Sequence, residues 1–113
     1  MPMSQIEINT LVYQDEDSCW VAQGLEYDIT TVARSLDQIP DRFAMKAIAE
    51  IAISAELGLE PLEGIKRAPE KFWDMYNASK MTLTATDTSP IELHDHIIPP
   101  KVISNMRVGK LAA

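Results

Sequence analysis

From Ile39 to Ala55 the chain repeats apolar side chains at helical spacing, and Gly58 and Pro61 follow where such a helix would have to stop. At about 100° per residue, Phe43, Ala44, Met45, Ala47, Ile48, Ile51, Ala52 and Ala55 sweep an arc of roughly 200°. A helix lying on one sheet needs an apolar stripe only somewhat wider than ~100°. Arg42, Lys46, Glu50 and Glu56 mark the opposite, wet face, and Ile53 stands alone among them. The chain must therefore supply a sheet for this helix and then a second surface, from its own C-terminal half or from another subunit. On this ground we expect a homo-oligomer, with Met45, Ile48, Ala52 and Ile53 at the interface.

The ends of the helix are marked by residue chemistry. Ser35 and Gln38 have the spacing of a capping box, and Asp37 and Asp41 place negative charge where the helix dipole is positive. Pro40 lies about one turn inside that start, so either the first turn is distorted or the regular helix begins near Ile39. At the other end Gly58 suits the left-handed cap position, Leu59 can fold back, and Pro61 forbids continuation.

The segment before the helix reads as the sheet it needs. Ile6, Ile8, Thr10 and Val12 fall on one face of a strand at period two, with Leu11 and Tyr13 on the other. Gln14 to Ser18 is an Asp-rich hairpin turn, Cys19 to Leu25 a second strand, Glu26 to Asp28 a bend, and Ile29 to Ala33 a short β-branched third strand. After the helix, Leu59 to Ala68 is a loop and Pro69 to Ser79 a second helix packed through Phe72, Trp73, Met75 and Tyr76. Met81 to Ala85 is a candidate strand, Ile91 to Ile98 alternates as an extended segment, and Lys101 to Val108 is a candidate final edge strand. The fold class expected is α+β: an antiparallel three- to four-stranded sheet with one long helix on a face and a second, short helix.

The length of 113 residues and an apolar content of 46% fit a single domain. Its parts are 1–59 (strand, strand, strand, helix), 60–80 (loop and short helix) and 81–113 (extended C-terminal segment). Cys19 is the sole cysteine, so no internal disulfide forms, and a reducing, cytoplasmic setting is expected. No basic and apolar leader opens the chain, and no run approaches the ~20 apolar residues of a membrane span. Charge is unevenly spread: ten acids against three bases up to Leu57 carry the whole net charge of −7, and the remainder is balanced. Such a surface repels nucleic acid, whose binding needs Lys and Arg on phosphates, and attracts a basic protein.

The stretch INTLVYQDEDSCWVAQGLEYDITTVARSLDQI resembles the N-terminal unit of HicB-like antitoxins, which have a partial ribonuclease-H-like fold. The parts that carry the resemblance are Leu11 to Tyr13, the acidic turn Asp15 to Asp17, Trp20-Val21-Ala22, the loop Leu25 to Asp28, the strand Ile29 to Val32, and Ser35-Leu36-Asp37 at the helix start. The chain departs from that pattern at Val32-Ala33-Arg34-Ser35, where the family has a glycine before the capping residue, and at Gln38-Ile39-Pro40, where it has a Glu-Ala pair. It also lacks, from Met81 onward, the operator-binding helical motif of many HicB proteins. The resemblance implies a non-enzymatic antitoxin whose partner is a small basic HicA-like ribonuclease. The acids expected to meet that partner are Asp15, Glu16, Asp17, Glu26 and Asp28. The alternative is a stand-alone oligomeric module with a structural or small-ligand-binding role.

Other chemistry is thinner. His94, His96 and Glu92 would share one face of a strand, but two alternating histidines more often form a polar face than a metal site. Asp15, Asp17, Asp28 and Glu50 are the carboxylates a two-cation nuclease would draw on, yet two lie in a turn and Glu50 on the wet helix face. Cys19 has no base placed by sequence, and Phe72, Trp73 and Tyr76 beside Lys66, Arg67 and Lys71 read as a packed helix face rather than a base-stacking surface. No enzyme activity, cofactor, metal, direct nucleic-acid binding or membrane association is expected.

Overall fold

The computed structural model describes residues 5–83 and 101–109. Among these residues five strands and two α-helices follow in the order β1 (Gln5–Gln14), β2 (Trp20–Gly24), β3 (Thr30–Ala33), α1 (Ile39–Glu56), α2 (Glu70–Ala78), β4 (Met81–Leu83) and β5 (Lys101–Val108). They form one mixed sheet of order β3-β2-β1-β5-β4. The α+β class is as expected, but the sheet is larger and is not purely antiparallel. β1 pairs antiparallel with β2, as the hairpin requires, and parallel with β5 over the full register from Gln5↔Lys101 to Val12↔Val108. β5 therefore lies inside the sheet rather than at its edge, with β4 antiparallel on its outer side. Local periodicity identifies a strand but carries no information on its partner, which is why the interior place of β5 escapes the sequence. The extended segment expected at Ile91 to Ile98, with its histidines, lies outside the described residues.

The period-two pattern of β1 divides the two faces as read. Ile6, Ile8 and Val12 join Ala22, Ala33, Val102 and Met106 beneath Ile39, Phe43, Ala47 and Ile51 of α1. Leu11 points the other way, into a smaller cluster with Leu25, Ala68 and Tyr76, against which Tyr13, Phe72, Trp73 and Met75 pack. α1 and α2 thus cover opposite faces of the sheet. Phe43 is fully buried, and Gly24 beneath it admits no side chain: a Cβ there would stand 2.7 Å from the Tyr27 carbonyl oxygen and 3.2 Å from the Phe43 ring.

Of the two starts open to α1, the later is realised. Ser35 makes no side-chain cap bond; Leu36–Gln38 forms one turn of 3₁₀-helix, and the α-helix begins at Ile39 with Pro40 in its first turn, where the missing N–H is harmless. The C-terminus closes as expected. Gly58 has φ +73°, its N–H donates to the Ala55 carbonyl, and the Leu59 N–H donates to the Ser54 carbonyl, which is the Schellman arrangement. The following loop is pinned from both sides: Leu62 sits buried in the α1 core, while the Asp28 N–H donates to Lys66 O and the Ala68 N–H to Leu25 O. No helix among the described residues is long and apolar enough to cross a membrane.

Candidate functional site

Two regions concentrate polar chemistry, one at the hairpin tip and one beneath α2. At the tip, the Ser18 N–H donates to Asp15 O at 3.1 Å, and Ser18 takes φ +64° so that the chain can turn back and re-enter the sheet at Trp20. Asp15 Oδ1 accepts the N–H groups of both Asp17 and Cys19 at 2.9 Å. Asp15 thus builds the turn, and Glu16 and Asp17 are held exposed at its apex. Neither forms an ion pair among the described residues.

The acids of the second bend are engaged differently. Glu26 grips Asn9, accepting its backbone N–H at 2.8 Å and its side-chain Nδ2 at 2.7 Å. Asp28 Oδ1 accepts Gln23 Nε2 at 2.8 Å. The two acidic groups stand at opposite ends of the five-residue strand β2, about 17 Å apart at ~3.3 Å per residue. Asp15, Glu26 and Asp28 serve the fold, and Glu16 and Asp17 are the pair presented outward. Of the carboxylates a nuclease would need, Glu50 faces Lys46 at 3.5 Å on the outer side of α1, away from the sheet acids. No group of three or more His, Cys, Asp or Glu able to hold a metal occurs among the described residues.

The second region was not legible from sequence. Asn9 and Asn105 are register partners across the parallel β1–β5 pair, and Asn105 Nδ2 donates to Asn9 Oδ1 at 3.3 Å. The Tyr76 hydroxyl, from α2, lies 3.2 Å from that same oxygen and 3.3 Å from the Asn105 carbonyl, so one proton serves two acceptors. Arg107 lies over the Tyr76 ring at 4.4 Å and donates to the Tyr76 carbonyl at 3.3 Å. Burial pushes the Tyr76 phenol up from its ordinary range; Arg107 opposes this and Glu26 adds to it. These residues border a cleft of about 380 Å³ whose further wall is Thr82, Leu83 and Met106. The only sequence signal was an asparagine in the middle of each of two alternating strands; that they face each other depends on a pairing between residues 96 apart.

The aromatics of α2 pack inward and carry bases on their outer edges. Phe72 stacks on Tyr13 with centroids 6.1 Å apart, Lys71 Nζ lies 4.9 Å from the Phe72 centroid, and the Arg67 guanidinium 4.2 Å from that of Trp73. Trp73 Nε1 is buried without a hydrogen-bond partner among the described residues. On the oligomer face expected from sequence, Met45 and Ile53 are exposed and Ala52 half-buried, whereas Ile48 is buried within the chain.

No protein-family model, curated protein or solved structure matches this chain.

Proposed function

We propose that this chain is a non-enzymatic, HicB-like antitoxin that binds and neutralises a small basic HicA-like ribonuclease. The observation that carries the reading is the hairpin apex. Glu16 and Asp17 are exposed on a turn that Asp15 holds in a fixed shape, at the edge of a half-chain that bears the entire net negative charge. A preformed acidic tip loses little entropy on docking and steers a basic partner toward it. Inhibition follows from occlusion: carboxylates seated among the toxin's cations take the place that RNA phosphates would occupy. The engaged acids Glu26 and Asp28 act in this reading by fixing the bend beneath the tip strand rather than by touching the partner.

The test is co-expression with a basic HicA-like ribonuclease encoded beside this chain, followed by pull-down and an RNA-cleavage assay. The expected result is co-purification and loss of cleavage, with an association rate that falls as salt rises. Substituting Glu16→Lys and Asp17→Lys together should slow association about tenfold or more while leaving the circular dichroism spectrum unchanged. Failure to co-purify, with cleavage undiminished, sinks the proposal.

The cleft under α2 favours a second reading, a module that holds a small polar ligand against Asn105, Thr82 and Arg107. Saturable shifts of the Asn105 and Arg107 side-chain resonances with a small ligand, in a chain that ignores the ribonuclease, would support that reading over the first.

A further inference from the structure

The cleft beside α2 is built from two strands and a helix that meet only in the folded chain. Asn105 and Arg107 lie two residues apart on β5, so they share one face of the sheet, about 6.6 Å apart along the strand. Thr82 is the register partner of Arg107 on β4 and stands exposed beside it. Leu83 and Met106, which complete the lining, turn their side chains into the α1 core, so they add little apolar surface to the cleft. The described residues that line it include one charged group, Arg107, and no carboxylate.

The hydrogen bonds decide which groups a ligand could use. Asn9 Oδ1 is saturated by Asn105 Nδ2 at 3.3 Å and by the Tyr76 hydroxyl at 3.2 Å. Asn105 keeps its second side-chain N–H, and Thr82 its hydroxyl. Arg107 lays the face of its guanidinium on Tyr76 at 4.4 Å and gives one N–H to the Tyr76 carbonyl at 3.3 Å. Stacking consumes the face of the group and leaves its other in-plane N–H donors unspent. The contact with a carbonyl in the last turn of α2 explains why a cation sits there, but not why it lacks a counter-charge. Arg107 makes no ion pair among the described residues, although the chain has 17 acids to draw on.

We propose that this cleft takes a small monocarboxylate, its two oxygens on the edge of Arg107 and its remaining polar groups on Asn105 and Thr82. Planar, two-pronged donation is what a guanidinium offers a carboxylate. Glu26 limits the charge of the ligand. It stands behind Asn9, bonded to that residue's N–H and Nδ2, and its charge opposes a dianion such as phosphate. The proposal rests on the second reading above, in which the cleft is a ligand site, and is independent of the antitoxin reading.

Titration of the full chain at low salt with lactate, with lactamide and with inorganic phosphate, followed by NMR, tests this. Lactate and lactamide have nearly the same shape and differ in charge. Lactate should give saturable shifts at Thr82, Asn105 and Arg107, and lactamide should bind at least about tenfold more weakly. Arg107→Lys keeps the cation at the end of α2 but loses the two-pronged edge, and should weaken lactate about tenfold. Thr82→Glu, at an exposed position, supplies a carboxylate from the chain itself and should abolish lactate binding while the thermal melt stays cooperative. Lactamide binding as tightly as lactate, or phosphate binding more tightly, overturns the carboxylate class and leaves the cleft as a ligand site. Lactate binding undiminished in Thr82→Glu overturns the placement on Arg107. No saturable shift with any of the three probes removes the ligand-site reading along with this proposal.

Discussion

Acidic residues that look alike in the sequence have different roles in the structure, and the difference is measurable. Asp15 accepts two backbone N–H groups and Glu16 none, so only the first should matter to stability. Asp15→Ala should cost about 1–2 kcal/mol in urea unfolding, and Glu16→Ala or Asp17→Ala about 0.5 or less. If Asp15→Ala proves neutral, the turn is not held as described. The tyrosines give a prediction in pH. Burial, with the nearby Asp15 charge, pushes the Tyr13 phenol up, and burial does the same to Tyr76. Both therefore titrate at higher pH in the folded chain than in the unfolded one, near 10.0 for the latter. Above that value the unfolded state holds fewer protons than the native state, so stability is intact below it and falls as pH rises. Chemical unfolding followed from pH 7 upward should show this decline, and Tyr76→Phe should flatten it. The acids of the tip were legible as a turn; which of them builds it was not, because that depends on where one carboxylate oxygen meets two amides.

At the scale of elements, α1 was the most legible part of the chain and also the part where the sequence left a choice. Its C-terminal stop was readable because Gly58 is needed for a positive φ, and the structure places it there at +73°. Gly58→Ala should cost about 1 kcal/mol, since a Cβ in the left-handed region is strained even though space surrounds it. Its inner face was readable from periodicity alone: Phe43, Ala47 and Ile51 are buried in the sheet core. Phe43→Ala should cost about 3–5 kcal/mol by the lost burial and the cavity left above Gly24. A melt lowered by only a degree or two would show that this face is looser than described. Periodicity gives the angular width of an apolar arc but not how the arc is shared. Ile48 turns into the chain and Met45 and Ile53 out of it, and which part of an over-wide arc meets the sheet is decided by tertiary packing rather than by the period.

The topology of the whole molecule is where local reading fails and where the strongest prediction lies. The hairpin, the third strand and the helix follow one another closely and are visible as a series. The strand that completes the core comes from the far end: β5 runs beside β1 in parallel, and its Val102 and Met106 are buried at 0% and 2% exposure. Parallel neighbours need a crossover, so nothing in the residues flanking either strand announces the pair. The pairing also sets Asn105 against Asn9 and so assembles the α2 cleft, which makes site and topology one question. Without β5 the central strand β1 becomes an edge, with Ile6 and Ile8 opened to water beneath α1. A chain ending at Leu83 should therefore lose its cooperative thermal transition and become soluble only with denaturant or fusion, even though β1 to α1 are intact in sequence. The milder Met106→Asp should destabilise strongly as well, since it buries an unpaired charge between sheet and helix. Hydrogen exchange gives the complementary reading: if β5 is the interior strand, its amides should exchange at least as slowly as those of β2, whereas an edge strand would exchange far faster. Rapid exchange throughout 101–108 would return β5 to the edge and dissolve the cleft with it.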